Sequence, residues 1–232
     1  MASQLLEILF PGRCLLCGEG LLFNCRPFYP ICRGCFDTLR PVTGTRCRIC
    51  SRPLISETEI CTRCRNRSYH FTDNFSLFEY RDSIREIIFQ YKFQGRRRLG
   101  FLIADLFAPV LNTRYRGLRI IPVPSRPGSG RVRGWSPVEQ ICRTLERRHG
   151  VAVCRCLGRR RGRPQKSLNF EERLSNLSNR IRVNERALKS VLMCEAVLID
   201  DIFTTGATAD ECARVLRKAG LETVRVLSFA LD

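Results

Sequence analysis

Two adjacent carboxylates, Asp200 and Asp201, stand at the end of the apolar run Val197-Leu198-Ile199, and the turn Ile202-Phe203-Thr204-Thr205-Gly206-Ala207-Thr208 follows at once. Paired acids in such a place can accept hydrogen bonds from sugar hydroxyls or face a divalent cation. A hydroxyl- and glycine-rich turn that opens a helix offers backbone N–H groups and the positive end of the helix dipole to a phosphate. Gly206 permits the tight backbone, and Thr204, Thr205 and Thr208 add hydroxyl donors. These are the parts of a site that holds a sugar phosphate. The elements that must position them are a buried parallel strand over 195–200 and a helix over 208–219. Thr208 and Glu211 form a capping-box pattern, Ala209, Cys212, Ala213 and Leu216 make one apolar stripe, and Gly220 marks the end.

A second chemistry lies at the other end of the chain. Of fourteen cysteines, eight fall in four CxxC pairs: Cys14/Cys17, Cys32/Cys35, Cys47/Cys50 and Cys61/Cys64. Pairs at this spacing suit tetrahedral thiolate sites, two pairs to one zinc ion, whereas an oxidising compartment would favour disulfides. The opening Met-Ala-Ser-Gln carries no basic leader and no long apolar segment follows, so we expect a cytoplasmic protein with reduced thiols and no membrane insertion. Two structural zinc ions are therefore expected, the first two pairs on one and the last two on the other, though spacing alone leaves an interleaved arrangement open. A segment this rich in Arg, Pro and Gly builds little core, and structural zinc contributes on the order of 10 kcal/mol. Cys25 is expected outside the ligand set, and the remaining cysteines read as small buried apolar residues.

The run around Asp200 and Asp201 resembles the phosphoribosyl pyrophosphate (PRPP) motif of type I phosphoribosyltransferases. Taken with the double ribbon, the chain resembles the ComF family, which includes competence proteins. Four further segments carry the likeness: Leu9-Phe10-Pro11 before Cys14-Leu15-Leu16-Cys17, Tyr91-Lys92-Phe93-Gln94-Gly95, Ile120-Ile121-Pro122-Val123-Pro124, and Pro164-Gln165-Lys166-Ser167-Leu168 running to Arg173 and Asn176. The resemblance implies that Asp200 and Asp201 contact the ribose beside magnesium and would be the catalytic acids. It also implies that Thr204, Thr205, Gly206, Ala207 and Thr208 cradle the 5′-phosphate, and that Lys92 and Gly95 hold pyrophosphate. A surface lysine at a helix end is the plain alternative for Lys92. PRPP or a related sugar phosphate, single-stranded DNA and a protein of the competence machinery are the partners it implies.

The chain departs from its relatives at two places. After Arg133-Gly134 it has Trp135-Ser136-Pro137 where they usually have Phe-Asn-Gln, and Thr204 stands where purine phosphoribosyltransferases often carry a proton-accepting aspartate. Threonine cannot take that proton at neutral pH. Only 26 residues follow Gly206, so an acceptor base is expected to be read by the zinc module or by 165–176 rather than by a hood after the motif. Two readings therefore stand. One is an adaptor that binds PRPP and single-stranded DNA during DNA uptake and transformation; the other is an active phosphoribosyltransferase with an unidentified acceptor.

With 232 residues, the length suits a double zinc-ribbon module over 1–67 and one phosphoribosyltransferase-like α/β domain over 68–232. Helices are expected at 82–92, 99–111, 135–148, 170–181 and 208–219, and strands at 118–124, 151–156, 195–200 and 223–229, with an edge strand near 75–80. Such alternation implies a parallel sheet flanked by helices, with ligands beyond the carboxyl ends of its strands. The segment 125–134 reads either as an arginine-bearing lid or as a plain solvated loop. Net charge is +18, and 36 of the 40 basic residues are arginine. Two four-thiolate zinc sites would lower the charge to about +14, still strongly basic. Arg96, Arg97 and Arg98 form one dense cluster beside Tyr91, Phe93 and Phe101, and 159–163 forms another. Arginine beside aromatics suits single-stranded nucleic acid, and a solvated charged face is the competing reading.

Overall fold

The computed structural model describes residues 12–21, 29–55, 59–125, 134–160, 180–189 and 194–232. Among them the elements run α1 (Arg33–Asp37), α2 (Thr62–Arg65), β1 (Asn74–Glu79), α3 (Asp82–Lys92), α4 (Leu99–Thr113), β2 (Arg119–Pro122) and α5 (Pro137–His149). They continue with β3 (Leu157–Arg159), β4 (Ile181–Val183), α6 (Glu185–Lys189), β5 (Glu195–Phe203), α7 (Ala207–Lys218) and β6 (Thr223–Leu231). Four strands form an all-parallel sheet in the order β1-β6-β5-β2. The expected α/β architecture, a parallel sheet flanked by helices behind a double zinc ribbon, is the one observed.

Alternation along β5 explains the layering. Val197 and Ile199 enter a core shared with α3, α4 and α5, while Ala196 and Leu198 enter the opposite core with α7. A strand buried on both faces must read as a continuous apolar run, as Ala196–Ile199 does. Tyr91 on α3 is fully buried and donates its hydroxyl to the Pro137 carbonyl at 2.8 Å, so α3 is pinned to the start of α5.

Each ribbon packs against a different face of the sheet. Cys14, Ile31 and Cys32 belong to the first core, and Cys47, Cys50, Cys61 and Cys64 to the second. Polar contacts fix both placements. Gln90 on α3 donates to the Leu15 carbonyl at 2.7 Å, and Tyr29 donates to Asp105 on α4 at 2.6 Å. On the other face Asn74 donates to the Cys50 carbonyl at 3.0 Å and to Ser76 at 2.8 Å, while Ser76 and Ser228 share a hydrogen bond of 2.7 Å. All three of these polar residues are buried, which is tolerable only because the network satisfies them. At the amino end of the sheet, buried Asp73 accepts from Arg225 at 2.7 Å and from Tyr115 at 3.4 Å, with Arg114 at 3.7 Å.

Some expectations shift. The strand at 151–156 shrinks to one parallel bridge, Val153 to Ile120. Its partner β2 is only four residues long, because Pro122 and Pro124 bring no N–H to a ladder. The helix placed at 170–181 lies almost wholly outside the described residues, but its last position, Ile181, begins β4, which pairs antiparallel with β3. Ile181 buried and Arg182 exposed is the period of a strand, and that short alternation was overridden by the helical pattern before it. Cys25, 126–133, Arg161, Arg163 and 164–176 also lie outside the described residues.

Candidate functional site

The carboxyl end of β5 gathers residues from three parts of the chain. Asp201 is buried, and its Oδ1 lies 2.8 Å from Nζ of Lys92, the last residue of α3; the two side chains are 10% and 16% exposed. Asp200 turns back on the same backbone, its Oδ1 accepting from the Asp201 N–H at 2.8 Å. Asp201 thus holds the ammonium, and Asp200 beside it feels the Lys92 charge only through space. Burial, then the neighbouring Asp201 charge, push the Asp200 carboxyl up to about 8, against a smaller lowering by Lys92.

Beyond β5 the chain turns at Gly206, which adopts φ +78° and serves as the N-cap of α7. A Cβ at this position would come within 2.7 Å of the Phe203 ring. Glycine is thus required by conformation and by space together. Thr204 and Thr205 are exposed on the turn, and Thr205 Oγ1 accepts from the Ala207 N–H at 3.4 Å. The capping box read from Thr208 and Glu211 does not form. The N-cap is Gly206, two residues before Thr208, and Glu211 instead binds Arg214 at 2.7 Å. Gly206 has no side chain to cap the helix, so the Thr205 hydroxyl on the first amide is the side-chain contact at this end among the described residues. Asp210 in the first turn is held by His70 at 3.2 Å, tying the segment after the second ribbon to this helix.

Lys92 thus joins the acidic pair directly. Gly95, with φ +67°, turns the chain just after it, and Arg96, Arg97 and Arg98 are exposed on the following loop. Arg97 is held in place: its guanidinium lies 5.3 Å from the Trp135 ring centroid and its carbonyl accepts from Gln140 at 2.8 Å. Trp135 meets Tyr91 edge-on at 4.9 Å. Trp135 therefore braces the loop carrying Gly95 against α5.

The cysteines form two clusters, Cys14/Cys17/Cys32/Cys35 and Cys47/Cys50/Cys61/Cys64, with all sulfurs in each within 4.8 Å of one another. Contacts of 3.7 Å between Cys17 and Cys32 and 3.6 Å between Cys50 and Cys61 approach the spacing of about 3.8 Å for tetrahedral zinc thiolate. The two ribbons repeat one design. A bridge between Arg13 and Gly20 brackets the first pair, and one between Arg46 and Pro53 brackets the third. Burial pushes the Cys14 thiol up, but N–H groups of Cys17, Cys32 and Leu16 outweigh it and bring it down to about 6. Cys47 is likewise brought to about 7 by N–H groups of Cys61, Cys50 and Ile49 against the same burial. Backbone amides aimed at sulfur prepare it as thiolate, the form that binds metal. Both sites fit a structural zinc, paired in chain order.

Residues 5–65 match the family described as a double zinc ribbon domain. The whole chain is similar to the competence protein ComFC of Streptococcus pneumoniae, at 26% identity over 94% of this chain and 99% of that protein. It is also similar to ComFC of Bacillus subtilis, at 26% identity over 94% and 93% of the two chains. The DNA utilization protein YhgH of Salmonella typhimurium is 28% identical over 93% of this chain and 95% of its own. Among solved structures, a hypoxanthine phosphoribosyltransferase from Staphylococcus aureus overlaps 56% of this chain and 61% of its own at TM-score 0.30 and 11% identity, too shallow a likeness to carry an argument.

Proposed function

We propose that this chain, which carries a double zinc ribbon and is a near-full-length relative of the ComFC and YhgH proteins, binds PRPP or a related sugar phosphate and serves DNA uptake as a nucleic-acid-associated adaptor. The observation that carries the sugar-phosphate reading is the convergence of Lys92, Asp200 and Asp201 beside the glycine turn of α7, at the carboxyl end of a parallel sheet. Asp200 and Asp201 would meet the ribose hydroxyls and face magnesium. The turn from Thr204 to Thr208 would take the 5′-phosphate on its amides, and Lys92 with Gly95 would face the pyrophosphate. Magnesium, when bound, would neutralise phosphate charge. Asp200 and Asp201 are the residues that would hold it, with Lys92 already paired to Asp201 at 2.8 Å.

The DNA role rests on the names borne by the relatives and on the arginine excess, and Arg96, Arg97 and Arg98 stand exposed beside the sugar-phosphate site. An active phosphoribosyltransferase is the second reading, favoured by the retained acidic pair. Calorimetric titration with magnesium and PRPP tests the first claim. Asp200→Asn combined with Asp201→Asn is expected to weaken affinity at least tenfold, about 1.4 kcal/mol, and equal affinity in the double variant would refute the site. Pyrophosphate release over a panel of acceptor bases and amines separates the two readings.

A further inference from the structure

Between α4 and α5 runs an open groove of about 610 Å3 lined by Arg97, Arg143, Arg147, Arg148, Phe101 and Trp135. We propose that this groove, and not the Arg96–Arg98 cluster alone, is the track for single-stranded DNA. The proposal rests on the adaptor reading above and deepens it by naming the surface.

The groove pairs cations with aromatic rings. Arg97 stacks over Trp135 at 5.3 Å and Arg148 over Phe101 at 5.7 Å, so two aromatic rings carry a guanidinium close to the face. Arg143 and Arg147 lie one helical turn apart on α5, about 6 Å between side-chain origins, and form a cationic row along one wall. Three carboxylates temper the charge. Glu139 binds Arg143 at 2.9 Å and is shared with Arg155 at 2.8 Å; Asp105 binds Arg148 at 3.1 Å and is shared with Tyr29 and His149; Glu146 is taken by Arg155 at 2.6 Å. Arg147 makes no ion pair among the described residues and is exposed. Arg97, Arg143, Arg147, Arg148 and Arg155 against Glu139, Asp105 and Glu146 leave the groove positive.

Guanidinium planes laid over half-buried rings suit a single strand, because every link carries a phosphate and every unpaired base has a face that can stack on an arginine or aromatic plane. A duplex offers the phosphates but keeps its bases stacked on one another. An acidic peptide offers charge without stacking. Arg97 belongs both to the cluster after Gly95 and to this groove, so a strand lying in it would begin beside the sugar-phosphate site.

Trp135 is the only tryptophan of the chain and lines the groove, so its fluorescence reports on a strand bound there. Titration of the zinc-loaded protein with an oligothymidylate strand at low salt is expected to quench Trp135 saturably, with little quenching by duplex DNA or polyglutamate. Arg143→Gln with Arg147→Gln, both on the solvent side of α5, is expected to weaken binding roughly tenfold and to flatten the log–log salt slope by about 1.4, the value for two phosphates. Circular dichroism and zinc content confirm that the variant is folded. A labelled strand that binds without quenching Trp135, with the same slope in the variant, would place the strand elsewhere and overturn the groove while leaving the adaptor reading intact. Equal quenching by polyglutamate would make the groove a general polyanion surface and overturn it also. If the labelled strand does not bind at low salt, the adaptor reading itself fails.

Discussion

The two ends of the central sheet solve the problem of buried acid in opposite ways. At the amino end, one carboxylate, Asp73, is served by Arg225, Arg114 and Tyr115. At the carboxyl end, Lys92 pairs with Asp201, and Asp200 next to it makes no ion pair among the described residues. The first arrangement is over-supplied with donors and acts as a clamp joining the chain before β1 to β6. The second is short of positive charge, and the deficit is held on Asp200, whose carboxyl is pushed up to about 8, first by burial and then by Asp201. A fold that completes one acid and leaves another incomplete marks the incomplete one as the place where a cation or a donor-bearing ligand restores the balance.

The largest expected effect comes from removing the single ammonium. Lys92→Met should cost about 3 kcal/mol at pH 8, because it leaves two enclosed carboxylates without a counter-charge. At pH 5 the cost should shrink, since one of the pair can hold a proton; urea denaturation at both pH values checks this, and an equal cost at each would count against this charge balance. Asp73→Ala should cost less, about 2 kcal/mol, because Arg225 and Arg114 are 32% and 47% exposed and can return to water. PRPP affinity in this variant should match the wild type, whereas a parallel loss would mean that the two ends are not independent.

Gly206→Ala follows, at about 1 to 2 kcal/mol from the left-handed backbone, before the overlap with Phe203 is counted. Thermal melting with and without PRPP should show both a lower baseline and a smaller ligand-induced rise. The smallest effect is a gain. The native Asp200 carboxyl lies above its ordinary 3.8, at about 8. The folded chain therefore holds a proton that the unfolded chain lacks between these values, and stability falls as pH rises through that window. Asp200→Asn should remove this slope and raise the melting temperature modestly at pH 8, since the amide forfeits the attraction of Lys92 while escaping the charge penalty. A variant with an unaltered pH slope would assign the strain to another group.

The acidic pair, the glycine turn and the four CxxC pairs were legible because each is local: a short window holds both the chemistry and the element that presents it. The meeting of Lys92 with Asp201 is not local, and sequence alone offered a pyrophosphate contact for the lysine rather than its bond to the acid. Arg143, Arg147 and Arg148 were passed over because charges on one side of an amphipathic helix read as a solvated face until a second helix lies beside them. The Asn74, Ser76 and Ser228 network gave no signal at all, since three small polar residues in apolar strands acquire meaning only when β1 lies against β6. Strand ends were blurred by prolines at 122 and 124, which the apolar pattern alone did not weigh.

That pairing of β1 with β6 joins Ser76 to Ser228 across 152 positions. The Cys50 carbonyl is reached by Asn74 of β1, and the Thr72 N–H, between the second ribbon and β1, donates to Val224 of β6 at 2.8 Å. During synthesis on the ribosome the zinc-binding module emerges well before the strand that completes the platform of its second ribbon. Both ribbons can take up metal early, whereas docking of the second against β1 and β6 waits for residues 223–231, a long loop closure of the kind that slows folding. A chain interrupted before β6 would carry a loaded second ribbon with an uncovered apolar back, which makes pairing of β6 the step at which a nascent molecule becomes resistant to proteolysis.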